Sequence, residues 1–113
     1  MQMIEELEFR RHADKAIESL TKSLFAAEEQ VGFEVDEQNG VLNIVFEDPA
    51  GKFVITPNAP VQQIWISALS TSFKLDWNGA SGTFILPKTG EALKPLIARL
   101  ISEHMGIEPV SLP

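Results

Sequence analysis

Gln38-Asn39-Gly40-Val41-Leu42-Asn43-Ile44-Val45-Phe46-Glu47 is the stretch whose reading decides the fold. Asn-Gly is a strong hairpin signal, because both residues accept the positive φ that a two-residue turn between strands demands. Beyond it, Leu42, Ile44 and Phe46 alternate with Asn43, Val45 and Glu47. That period of two belongs to a strand with one face buried and the other toward water. Phe33 to Glu37, before the turn, is then the partner strand. Antiparallel pairs of this kind tolerate one solvated face.

Working outward, the same grammar repeats. Asp48-Pro49-Ala50-Gly51 reads as a turn, Lys52 to Thr56 as a strand, and Pro57-Asn58-Ala59-Pro60 as its end. Gln62 to Ala68, Phe73 to Trp77 and Thr83 to Leu86 complete a set of about six strands, all compatible with hairpin connections. Toward the N-terminus, Phe9, Ala13, Ile17, Leu20 and Leu24 follow helical spacing within a segment from Glu5 to about Glu29, closed by Gly32. Toward the C-terminus, Leu93, Leu96, Ile97, Leu100 and Ile101 mark a second helix from about Gly90 to Met105, with Gly106 as its stop. Pro95 fits that helix if it starts near Ala92, where a missing N–H costs nothing; otherwise the helix kinks there. A helix, a strand meander and a helix predict an α+β fold. It is a two-layer α-β sandwich, an antiparallel sheet with the N- and C-terminal helices packed on one face. Neither a repeat, a low-complexity tract nor a linker interrupts residues 1–113, so one domain is expected.

Composition narrows the function. With 16 acidic and 9 basic residues the net charge is −7, which disfavours nucleic acid and favours cations or a basic protein surface. There is no cysteine, which excludes disulfides, thiolate metal sites and a cysteine nucleophile. Only two histidines are present, His12 and His104, too few to suggest a zinc centre. No apolar run approaches the ~20 residues of a membrane span. The opening MQMIEELEFRR has neither a basic nor an apolar signal region, so a cytoplasmic protein is expected. No nucleophile motif, phosphate loop or evidently buried acid pair supports an enzyme.

Pro60-Val61-Gln62-Gln63-Ile64-Trp65-Ile66-Ser67 stands out from this background. It is accompanied by Asn39-Gly40-Val41-Leu42, Phe53-Val54-Ile55, Asp76-Trp77 and Thr89-Gly90-Glu91-x-Leu93. In order and spacing, from about Phe9 to Met105, the chain resembles the frataxin family, and its bacterial members in particular. The resemblance implies two helices on one face of a sheet. It also implies weak surface binding of iron (Fe2+ or Fe3+) by exposed carboxylates, and docking on the cysteine desulfurase and the iron–sulfur scaffold protein of cluster assembly. Carried over by position, Gln63, Trp65 and Lys74 are sheet-surface residues that meet that complex. Lys74 stands where arginine is common, which forgoes planar bidentate recognition. Thr21, Lys22, Phe25, Ala26 and Ala27 stand where such chains carry an acidic ridge, and this argues against iron binding at high stoichiometry. Ferroxidase activity, proposed in the family, would need a defined metal centre and is not expected here.

Candidate metal residues are Asp14, Glu18, Glu28, Glu29, Glu34 and Asp36, since hard cations and ferrous iron accept carboxylate oxygen. Asp14 and Glu18 share a helix face; Glu34 and Asp36 share a strand face. If that strand lies beside the helix end, Glu28, Glu29, Glu34 and Asp36 would form one negative patch. The alternative reading is ordinary solubilising acids. Strand alternation independently turns Val45, Val54, Gln63, Trp65, Ser67, Lys74 and Asp76 outward. A tryptophan beside two valines with a polar rim has the make-up of an interface anchor. The alternative is that Trp65 shields a neighbouring strand or lies under the C-terminal tail. Trp77 has the opposite parity and belongs to the core. His12 could join Glu8 in a two-ligand contact or pack structurally, and His104 suits a helix C-terminus. A monomeric accessory protein of cluster assembly is expected. A stand-alone iron chaperone or storage protein, and a generic protein-binding sheet domain without metal, are the competing readings.

Overall fold

Residues 5–108 and 110–113 are described by the structure, a computed structural model. Phe9, Ala13, Ile17, Leu20, Leu24 and Ala27 recur every three or four residues and are all buried, giving α1 (Glu6–Val31) one apolar stripe. The helix continues to Val31 rather than stopping at Glu29. Its end is set by Gly32, whose left-handed φ of 93° directs its N–H to the Glu28 carbonyl.

Six strands follow: β1 (Phe33–Gln38), β2 (Val41–Glu47), β3 (Ala50–Asn58), β4 (Gln63–Ala68), β5 (Thr71–Asn78) and β6 (Thr83–Ile85). Each pairs antiparallel with the next, in the order of the chain, so the sheet is a simple meander. Asn39 (φ 53°) and Gly40 (φ 80°) form the first hairpin turn as their residue types require. β3 is longer at both ends than its sequence suggests. Pro57 lies inside it opposite Ile64, past the last β2–β3 pair, Leu42 with Ile55. A strand with a neighbour on one side only tolerates the lost N–H. The break falls instead at the short 3-10 turn Ala59–Val61. β5 likewise begins at Thr71, not Phe73, because Leu69 (φ 60°) turns the chain tightly.

α2 (Leu93–Met105) starts after Ala92, so Pro95 sits in the first turn, whose N–H groups have no intrahelical acceptor. Gly106 (φ 66°) ends it. Both helices lie on the face that carries Leu42, Ile44, Phe53, Ile55, Ile64, Ile66, Leu75 and Phe84, and together with Leu96, Ile97 and Ile101 these form one core. Val110 and Leu112 pack against that same core, and the main-chain oxygen of Pro113 accepts from Ser23 Oγ and Lys94 Nζ. The tail therefore lies on the helical side and leaves the opposite sheet face open. Among the described residues, no helix is long and apolar enough to cross a membrane.

Candidate functional site

The register fixes the open face residue by residue. Trp65 lies between Thr56 of β3 and Lys74 of β5; Gln63 lies between Asn58 and Asp76. Their even-spaced neighbours Ile64 and Ile66 are buried, so Gln63, Trp65 and Ser67 point away from the helices, as alternation predicts.

Four side chains then interlock. Trp65 Nε1–H donates to Gln63 Oε1 at 2.8 Å, and Gln63 Nε2–H donates to Asp76 Oδ1 at 2.9 Å. Lys74 Nζ stands 4.7 Å from the centroid of the Trp65 ring, a cation–π contact. Beside the indole is a shallow depression with Val54, Thr56, Ser67 and Ser72 on its walls and Lys74 at its rim. Trp65 is half-buried and Lys74 is exposed, so the ring is held in place yet remains accessible. Such an arrangement can anchor a partner protein through apolar contact, with charge around it.

The apolar part of this face is smaller than the sequence suggested. Val54 is diagonal to Trp65 and borders the same depression. Val45 lies a strand farther off, opposite Lys52 and Glu34, so it is not beside the tryptophan. Strand order separates them: alternation gives a face, but not distances across it.

The acids fall in four places. Glu34 and Asp36 pair with Val45 and Asn43 on β2, which puts them on the same open face at its β1 edge. Glu28 is turned instead to the sheet edge, where its Oε2 accepts the Val35 N–H at 2.9 Å. Asp14 and Glu18 border a groove between α1 and β1 that has Ile17, Phe25 and Val35 along it and Asp36 and Glu37 on the far side. Glu18 also pairs with Lys22 at 3.3 Å. Glu29 is exposed. Among the described residues no three carboxylate or imidazole groups are placed to hold one ion together. Glu28 is engaged by the Val35 N–H, Glu18 by Lys22, and Glu34 leaves β1 beside Val45 on the open face.

A family model described as a frataxin-like domain matches residues 2–107. The chain belongs to the frataxin family. Over 94 residues it is 31% identical to the iron-sulfur cluster assembly protein CyaY of Azotobacter vinelandii, covering 81% of this chain and 84% of that one. The CyaY protein of Thioalkalivibrio sulfidiphilus is 24% identical, covering 89% of this chain and 94% of the relative. Among solved structures, frataxin from Psychromonas ingrahamii superposes with a TM-score of 0.74 at 20% identity, over 97% of this chain and 99% of that one. The frataxin fold is thus shared almost end to end.

Within this frataxin-family chain, the contacts of Asp76 and His104 are among those not foreseen from sequence. Asp76 was visible only as an outward residue; its bond to Gln63 requires the β4–β5 register. His104 ends α2, as expected, but its Nε2–H also donates to the Pro49 carbonyl at 2.8 Å, and its ring packs on Phe46 with centroids 4.6 Å apart. His12 stacks on Trp77 at 3.9 Å and 16°, which is the structural role. Trp77 packs against the core from β5.

Proposed function

We propose that this chain is a cytoplasmic, non-enzymatic accessory protein of iron–sulfur cluster assembly. In this reading it docks on the cysteine desulfurase–scaffold complex through the open sheet face, with Gln63, Trp65 and Lys74 as anchor. The observation that carries the reading is the indole of Trp65, held outward and still accessible on a face no part of the described chain covers. Membership in a family whose relatives are named for cluster assembly supplies the pathway. Val54 adds apolar contact beside the ring. Val45, next to Glu34, joins the anchor to the acidic edge, so both lie on one continuous surface. A basic partner surface would meet that edge, and this part of the binding weakens with salt more than the tryptophan contact does.

Iron is proposed as a weakly held cargo rather than a resident cofactor. Paired carboxylates such as Asp14 with Glu18, or Glu34 with Asp36, offer oxygen ligands without a closed cage. Exposed pairs of this kind exchange their ion quickly.

Binding of the chain to a purified cysteine desulfurase–scaffold complex, with and without ferrous iron, tests the reading. Saturable binding that falls at least tenfold in Trp65→Ala is expected, since a central aromatic anchor contributes roughly 2 kcal/mol or more. Glu34→Lys with Asp36→Lys should weaken it further at low salt. Absence of binding in both iron conditions would sink this reading.

A further inference from the structure

Asp76 is read from sequence as an outward residue but not as one of the docking anchors, yet it fixes how that surface is presented. It faces Gln63 directly across the β4–β5 pair, just as Lys74 faces Trp65. The two cross-strand pairs are adjacent, so all four side chains stand on one small area of the outer face. Within it the hydrogen bonds run in one direction only: indole N–H to amide oxygen, amide N–H to carboxylate.

That direction follows from the chemistry of Asp76. An ionised carboxylate accepts hydrogen bonds and cannot donate. Whichever way the Gln63 amide turns, only its NH2 group can satisfy Asp76 Oδ1, at the observed 2.9 Å. The amide oxygen is thereby forced toward Trp65, where it takes the only polar hydrogen that side chain has, at 2.8 Å. Without a pure acceptor at position 76 the amide could flip and set its NH2 against the indole N–H, donor against donor. The tryptophan would then be free to leave its place beneath Lys74, 4.7 Å from its ring.

We infer that Asp76 is the positioning residue of the docking tryptophan: it acts through the Gln63 amide to hold the Trp65 ring in its docking orientation before any partner arrives. The inference rests on the reading of this face as the docking surface. It has a consequence for the partner. The indole N–H is already used within the chain, so the partner meets Trp65 through the ring and supplies an apolar group rather than a hydrogen-bond acceptor. Holding the ring beforehand also spares the complex the entropy of ordering it.

Asp76→Asn tests this with almost no change of shape, because a carboxamide presents both a donor and an acceptor and no longer dictates the Gln63 orientation. The readout in the free protein is the indole N–H signal of each tryptophan by NMR. There are two tryptophans, so Trp77 serves as the internal control. In Asp76→Asn the Trp65 indole hydrogen should exchange with solvent roughly three- to tenfold faster, the range set by loss of one hydrogen bond. Trp77 should be unmoved. Adding Gln63→Glu to Asp76→Asn reverses the polarity of the bond, with the carboxamide donating to Glu and Glu still accepting from the indole; protection of Trp65 should return. The docking affinity of Asp76→Asn should fall by a similar factor. Unchanged Trp65 exchange, or equal acceleration at both tryptophans, would overturn the inference. So would a released Trp65 indole with undiminished docking, which would leave the docking face itself intact. If the unmodified chain fails to dock at all, the docking reading fails, and the indole signals alone decide the role of Asp76.

Discussion

Arg99 grips Glu91 with two donors, Nε to Oε2 at 2.8 Å and Nη2 to Oε1 at 3.0 Å, while its Nη1 reaches Glu103 Oε2 at 2.8 Å. Glu91 lies in the segment joining β6 to α2, and its carbonyl accepts the Leu86 N–H at 2.8 Å. The pair therefore ties the approach to α2 onto the helix itself. Arg99 holds the Glu91 carboxyl below its ordinary value of 4.5, chiefly through the side-chain hydrogen bond, and the Thr89 hydroxyl adds to this.

A pH dependence follows from that lowered value. The folded state binds the Glu91 proton less tightly than the unfolded chain, so the pair stabilises the fold above pH ~4.5 and the gain fades as pH falls through the lower folded value. Glu91→Gln should cost about 1 kcal/mol or less at pH 7, because Arg99 is 41% exposed and water screens the pair. Urea unfolding at pH 7 and at pH 3 measures it. A difference between the two chains as large at pH 3 as at pH 7 would refute the assignment.

The edge strand β1 depends on Glu28. Removing the acceptor of the Val35 N–H in Glu28→Ala should speed amide exchange at Val35 and cost about 1 kcal/mol. Glu28→Gln keeps an acceptor and should retain most of the protection despite the lost charge. Equal exchange in the Ala variant and the unmodified chain would show that the carboxylate does not hold the strand.

Gly51 is required for close packing rather than for its backbone angles. A Cβ there would lie 2.8 Å from Leu69 Cδ2 and 2.9 Å from His104 Cε1. The leucine tip can move, but the imidazole is held against Phe46 and by its bond to Pro49. Gly51→Ala should destabilise by about 1–3 kcal/mol, the range of overpacked sites. Adding Leu69→Ala should recover only part of that in denaturant unfolding; full recovery would mean that His104 yields freely.

His12 should matter for the setting of Trp77 rather than for metal. In a Trp65→Phe background, where Trp77 is the sole tryptophan, His12→Ala should shift its emission to the red and cost about 1 kcal/mol. An unshifted spectrum would mean that the stack contributes nothing to shielding the indole.

The elements were legible because local rules and the fold agree at most positions. The alternation of Leu42, Ile44 and Phe46 around the Asn39-Gly40 turn specifies a hairpin with one buried face, and β2 occupies Val41–Glu47 as read. Gly32 and Gly106 end their helices because only a left-handed residue can do so cheaply at those places. Pro57 misled, because a proline that breaks a central strand is tolerated where the neighbouring strand has already ended. The start of β5 at Thr71 was missed for the opposite reason: a bulky residue such as Leu69 at φ 60° is unfavourable on its own terms, and only the closing of the β4–β5 hairpin imposes it.

The site divides along the same line. Parity within a strand already determined that Gln63, Trp65, Lys74 and Asp76 face away from the helices, and the order of short motifs already pointed to the family. Neither parity nor motif says which side chain stands opposite which. Pairing Gln63 with Asp76, bringing Val54 but not Val45 beside Trp65, and setting Glu28 on the Val35 N–H were decided only by the tertiary structure. Side-chain direction repeats along one chain and is written in its spacing. Distance between strands depends on register and strand order, which are fixed when the whole sheet closes over α1 and α2.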